Sequence, residues 1–146
     1  MRRRRGGRAQ LRAGVDTALR AGLTIVLVAA AVTHLVRPEV FRPAMPPYLP
    51  VQDALIALTG WIELAFAVAL WWGSRRRLVG RLLALYFLAL LPAHLHVSIH
   101  DIEMFGLRNP WLWWRTVGQS VFVAWALLLA GPLGRTPGPG GDRVTE

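Results

Sequence analysis

Four long apolar runs dominate the chain, and short polar or proline-rich segments separate them. The runs cover residues 17–36, 51–72, 78–100 and 111–131. Each run is about 20 residues long, and at about 1.5 Å per helical residue it spans about 30 Å, the thickness of the bilayer hydrocarbon core. A soluble amphipathic helix needs a broad polar face, but residues 54–72 offer only Thr59 and Glu63 as plainly polar side chains. The pattern predicts an all-α fold, a four-transmembrane-helix bundle over residues 17–131.

The two ends of the chain differ from these runs. Residues 1–16 form a basic, glycine-containing arm without apolar periodicity, and residues 132–146 are rich in proline and glycine. Both compositions are typical of disorder, so we expect a disordered arm and tail on either side of the membrane domain. The arm and first run also resemble a cleaved signal peptide, but the apolar stretch continues past Ala31 to Val36, which favours a membrane span.

The charged residues predict an orientation. The chain of 146 residues has 17 arginines, no lysine and a net charge of +9. With a cytoplasmic N-terminus, only Arg37, Arg42, Arg108 and Arg115 of the 17 fall on the outer side. The positive-inside rule therefore predicts both termini in the cytoplasm. Because the arginines lie in short blocks rather than along one stripe, we expect no nucleic acid as a partner.

The absence of cysteine limits the chemistry of the chain. With no cysteine among its residues, it cannot form a disulfide, a zinc–thiolate site, an iron–sulfur cluster or a dithiol redox pair. Any redox role must therefore use another group or a partner.

Short polar motifs at the ends and centres of the runs carry a family resemblance. They are HLVRP at 34–38, MPPYLP at 45–50, TGWIE at 59–63 and LPAHLH at 91–96. Over about residues 20–130 this set resembles the DoxX-like family of small four-helix bacterial membrane proteins, in which Ser/Thr-Gly-x-x-Glu and Pro-Ala-Asn patterns are usual. His94 stands where that family tends to have asparagine.

The resemblance implies a four-helix bundle and links to quinol oxidase accessory subunits and thiol-redox membrane complexes. On this basis we expect an accessory component of a quinone-linked membrane redox system, with subunits of a redox complex and the lipid bilayer as partners. Two alternatives remain: a membrane oxidoreductase with its own bound cofactor, and a small transporter or proton path centred on Glu63. The sequence leaves the oligomeric state open.

Glu63 is the most unusual residue of the runs. It lies about 18 Å along the second helix, where a carboxylate is costly, so burial favours its protonated form. Gly60 and Ala67 share its helix face, and small residues allow helices to approach closely. We expect Glu63 to face the bundle interior, in an intramembrane polar site with Gly60 and a hydrogen bond from Gln119. The carboxyl group would either carry protons or contact a ligand, or it would only fix helix packing.

Histidines collect at the outer ends of the first and third helices. His96 and His100 are four residues apart and share a helix face, and His34 ends the first span. With Tyr48 they form a candidate outer-side pocket. Three interpretations are open: a transition metal or haem iron between helices, a quinone headgroup that exchanges protons with histidine, or interfacial histidines hydrogen-bonded to the proline-rich loop. No zinc or haem motif is present, so we expect neither a metal nor haem.

Three further expectations concern residues near the membrane surfaces. The proline-rich residues 46–50 should pack over the outer helix ends, because prolines leave little conformational entropy to lose. Arg20 should extend to the inner headgroups, and Arg115 should extend outward.

Overall fold

The computed structural model describes residues 2–45, 47–73 and 75–131 as a bundle of helices. The α-helices are α1 (Arg2–Val36), α2 (Gln52–Ala69), α3 (Arg76–Ile99) and α4 (Trp111–Ala130). Each is long and apolar enough to cross a membrane, with the α1 span over Gln10–Val36. The all-helical fold class and the four candidate spans are therefore confirmed.

The N-terminal arm differs from the prediction of disorder. Helix α1 begins at Arg2, so residues 2–16 continue the first span as helix. Arginine, alanine, glutamine and leucine make up most of this arm, and their high helix propensity outweighs the few glycines. The predicted disordered tail at 132–146 lies outside the described residues.

The helices pack as two pairs. Helix α1 lies along α2, and α3 lies along α4, while contacts between the pairs are fewer. Glycines make both close approaches possible: a Cβ added to Gly60 would lie 3.1 Å from the Ala31 carbonyl oxygen, and one added to Gly80 would lie 2.8 Å from the Ala130 nitrogen. Each pair therefore has a tight interface of its own.

The apolar core occupies the half of the bundle next to the α2–α3 loop. Its buried side chains come from the middle of α1, the end of α2, the start of α3 and the end of α4, among them Leu23, Ala67, Leu83, Phe87 and Leu129. In the opposite half the two pairs enclose a cavity instead. The candidate site lies there because the side chains of that half do not fill the space between the pairs.

The loop between α1 and α2 contains two short 3₁₀ turns, Pro38–Val40 and Arg42–Ala44. The Arg42 guanidinium donates two hydrogen bonds of 2.7 Å to the Asp53 carboxylate, which fastens the loop to the start of α2. Asp53 also raises the pKa of Arg42 through this hydrogen bond and its charge.

The predicted packing of residues 46–50 over the bundle is not observed at Tyr48, which is 81% exposed. The preceding part of the loop makes these contacts instead, through Phe41, Ala44 and Met45. The Arg42–Asp53 pair explains the difference, since it holds the segment before Pro46 against the helices. Pro46 itself lies outside the described residues.

Candidate ligand-binding cavity

A cavity of about 670 Å³ lies between the two helix pairs, in the half away from the core. All four α-helices contribute to its wall, and the α1–α2 and α3–α4 loops contribute to its cover. Most lining side chains are apolar, as in pockets that bind small apolar ligands and orient them with a few polar groups. The polar side chains of the wall are Thr33, His34, Thr59, Glu63, His94, Arg115 and Gln119.

Glu63 is the most deeply buried of these polar groups, with 4% of its surface exposed. The Tyr86 hydroxyl donates a hydrogen bond of 3.3 Å to Oε1 of Glu63. Oε2 is buried and has no hydrogen-bond partner among the described residues. The predicted inward orientation of Glu63 is therefore confirmed. Its Oε2 atom remains free to form a hydrogen bond.

His34 faces the free oxygen of Glu63, with its Nε2 atom 3.9 Å from Oε2. The Thr59 hydroxyl donates to the Ile56 carbonyl oxygen at 2.6 Å. Thr59 Oγ1 also lies 3.1 Å from Nδ1 of His34. Because the single hydroxyl proton is already used, this second bond requires a proton on Nδ1, which leaves Nε2 as an acceptor in the neutral ring.

An aromatic cover joins the two helix pairs above the cavity. The His34 ring stacks on Phe41 with centroids 3.8 Å apart. Phe41 meets Phe105 of the α3–α4 loop edge to face at 5.6 Å. The Arg115 guanidinium lies 5.5 Å from the Phe105 ring centroid, within cation–π range. This row of side chains runs from α1 across both loops to α4 and covers the end of the cavity next to these loops.

Two further polar residues, His94 and Arg115, line the α3–α4 side of the cavity, and neither is predicted there from the sequence. His94 lines the cavity, and its buried Nδ1 atom has no hydrogen-bond partner among the described residues. Arg115 also lines the cavity; its side chain extends toward the α3–α4 loop as expected, where it donates to the Met104 sulfur at 3.1 Å. His94 follows buried Phe87 by seven residues, so the two share a helix face. This spacing is the sequence signal that indicates an interior position for His94.

Gln119 and Gly60 have different roles from those predicted for them. Gln119 lines the cavity, but its amide donates to the Phe87 carbonyl oxygen at 2.8 Å. The structure contains no Glu63–Gln119 hydrogen bond, so that prediction is wrong; the helical carbonyl of Phe87 is the nearer acceptor. Gly60 packs against α1 beside Leu35 and is not part of the cavity wall.

The predicted outer-side histidine set is not brought together. Of its four members only His34 lines the cavity, while His96, His100 and Tyr48 do not. His100 is exposed, with Nδ1 bonded to the His96 carbonyl oxygen at 2.8 Å, and its ring lies 4.3 Å from that of His96. These two rings lie on a different face of α3 from His94. Within the described ranges, no three His, Asp or Glu side chains form a group that could hold a metal ion.

Four helices that are long and apolar enough to cross a membrane are consistent with a multi-pass helical membrane protein. The model of one protein family, described as Domain of unknown function (DUF8561), matches residues 23–130. The chain therefore belongs to the DUF8561 family, and the matched range includes every residue of the cavity wall. No curated protein and no solved structure matches the chain.

Proposed function

We propose that this protein binds a quinone, or a lipid-soluble ligand with a similarly compact polar ring, in the cavity between its helix pairs. In this account it serves as an accessory component of a quinone-linked membrane redox system, as the resemblance to the DoxX-like family suggests. The observation that carries the proposal is the buried, unpartnered Oε2 of Glu63, which lies 3.9 Å from His34 at an apolar cavity.

The space between Glu63 and His34 suits both redox forms of such a ligand. A protonated Glu63 donates a hydrogen bond to a quinone carbonyl, while Nε2 of His34 accepts one from a quinol hydroxyl. The 3.9 Å separation is too long for a direct hydrogen bond, so the two residues would both be satisfied by a polar group of the ligand placed beside them. The apolar remainder of the wall accommodates the ring and the start of its tail, and about 670 Å³ lies within the usual range of ligand pockets.

Substitution of single histidines tests this assignment. His34→Ala removes a hydrogen-bonding group and the ring that stacks on Phe41, so we expect the affinity for the short-chain quinone ubiquinone-1 to fall at least about tenfold. His100→Ala removes an exposed imidazole outside the cavity and is expected to leave the affinity unchanged. Titration calorimetry of the purified proteins in detergent measures both values. Equal losses in the two variants would contradict the assignment.

A proton path is the second candidate function, because Tyr86, Glu63 and His34 form a row of proton-bearing groups inside the bundle. Proton flux in proteoliposomes that is lost in Glu63→Gln would favour this alternative. A Soret band in the purified protein would instead indicate an oxidoreductase with its own haem.

Both termini are proposed to lie in the cytoplasm of a bacterium, with the cavity nearer the outer face of the cytoplasmic membrane. The support is the arginine distribution, with four of 17 arginines on the outer side. An alkaline phosphatase fusion after Asn109 is expected to be active, and one after Thr145 inactive. Reversed activities would overturn the orientation but not the cavity assignment.

A further inference from the structure

A second polar cluster lies away from the cavity, at the end of the bundle that carries the α2–α3 loop. The Arg20 guanidinium donates to the Asp16 carboxylate on the preceding turn of α1, and Nη1 of Arg76 lies 3.9 Å from the same carboxylate oxygen. Asp16 and Arg20 are 5% and 7% exposed. Arg20 is therefore not extended freely among the headgroups as expected, because Asp16 and the Trp71 ring, whose centroid is 5.7 Å away, cover it at this end of the bundle.

The cluster has two positive charges and one negative charge. It also has more hydrogen-bond donors than its one carboxylate can accept. Two guanidinium groups share a single acid, and each guanidinium has five N–H donors. The Nε atoms of both Arg20 and Arg76 are buried and have no hydrogen-bond partner among the described residues. A net positive, partly desolvated cluster with unused donors is suited to an additional anion that offers several acceptor oxygens.

The position of the cluster identifies the kind of anion. Helix α3 begins at Arg76, and the apolar run of α1 begins directly after Asp16, so the cluster lies at the boundary of the apolar segments, next to the lipid headgroups. Arg76 is partly exposed, with 27% of its side-chain surface accessible, so the cluster is open on its side. Trp71 beside it is a typical interfacial residue. A phosphate group is the anion available at this depth, and arginine pairs bind phosphate in bidentate geometry.

We propose that Arg20 and Arg76 form a binding site for the phosphate group of an anionic phospholipid, with Asp16 orienting Arg20. The lipid would link α1 to the start of α3, two elements from different helix pairs. The site is separate from the cavity, and it does not depend on the function proposed for Glu63.

Two variants with the same change in net charge test the proposal. Full-length protein is reconstituted in nanodiscs of equal parts phosphatidylcholine and phosphatidylglycerol, and the retained lipids are counted by native mass spectrometry. The wild-type protein is expected to retain phosphatidylglycerol, and Arg76→Gln to lose at least about nine-tenths of it. Arg77→Gln removes a neighbouring, exposed arginine, and this variant is expected to retain phosphatidylglycerol. If Arg76→Gln does not fold, Arg76→Lys keeps the charge, removes the planar guanidinium, and is expected to lose most of the lipid.

Three results would overturn the proposal. Equal loss in Arg76→Gln and Arg77→Gln would mean that only diffuse charge attracts the lipid. Equal retention of phosphatidylcholine, which carries a phosphate beside a choline cation, would mean that the site does not select an anionic lipid. A rise in melting temperature with 10 mM inorganic phosphate that matches the rise with phosphatidylglycerol would indicate a free-anion site rather than a lipid site.

Discussion

Glu63→Leu is expected to reduce the affinity for ubiquinone-1 at least about tenfold, or about 1.4 kcal/mol of binding free energy. Leucine removes the carboxyl group whose free Oε2 faces the cavity. It also leaves the Tyr86 hydroxyl without its acceptor, and a buried unsatisfied group costs about 1–3 kcal/mol of folding free energy. The variant should therefore be both weaker in binding and less stable, as measured by calorimetry and by thermal unfolding in detergent.

Glu63→Gln keeps the shape of the side chain but removes its ability to carry a negative charge. The glutamine carbonyl accepts the hydrogen bond from Tyr86, and its amide donates to the ligand as a protonated carboxyl group does. We expect unchanged stability and an affinity within about threefold of the wild type. Glu103→Gln, a change at an exposed acid that pairs with Arg108, serves as the control. If glutamine were as damaging as leucine, a negative charge would be required, and the protonated form assigned to Glu63 would be wrong.

The sequence predicts the spans well because the bilayer imposes a strict length and polarity on them. An apolar run of about 20 residues has few alternatives to a membrane helix, and Gly60, Glu63 and Ala67 indicate the interior face of α2 from their spacing alone. All three are buried together with Ile56. The same reasoning fails at the start of α1, where composition suggests disorder but helix propensity extends the span to Arg2.

The site is less predictable than the spans because it depends on helix rotation and on loop contacts. His34 and Glu63 were identified from the sequence, but their 3.9 Å approach depends on the close α1–α2 packing at Gly60. The sequence does not place His94 or Arg115 in the cavity, since a polar residue near a helix end is equally compatible with an interior and an interfacial position.

The aromatic cover and the cluster of Asp16, Arg20 and Arg76 illustrate the same limit at longer range. Phe41 and Phe105 meet across two loops that are far apart in sequence, and no local pattern indicates that contact. Asp16 lies in the arm that is predicted to be disordered, so the sequence does not indicate its ion pair with Arg20 one turn later. Both features depend on which helices become neighbours.

The two halves of the bundle have different roles in this account. The half next to the α2–α3 loop is filled by apolar side chains from all four helices, which fixes the two pairs against each other. The other half contains the cavity, with polar groups from both pairs in its wall. A substitution that fills the cavity should therefore affect binding without disturbing the packed half.

Gly118→Phe is expected to abolish ligand binding while the protein remains folded. Gly118 lies in the cavity wall on α4, and a Cβ added there would meet no atom within 4 Å. A phenylalanine side chain can therefore enter the cavity without a backbone clash and take the place of the ligand ring. Removal of a helical glycine also favours the helix by up to about 1 kcal/mol, so the melting temperature should be unchanged or higher.

The affinity of Gly118→Phe for ubiquinone-1, compared with that of Ala124→Phe, is the most direct test of a ligand site between the helix pairs. Ala124 is exposed on the same helix and lies outside the cavity wall, so its variant controls for the added ring. Ala124→Phe is expected to bind with wild-type affinity, and Gly118→Phe to lose at least about tenfold in affinity at an equal or higher melting temperature. A folded Gly118→Phe protein that binds ubiquinone-1 as tightly as the wild type would contradict it.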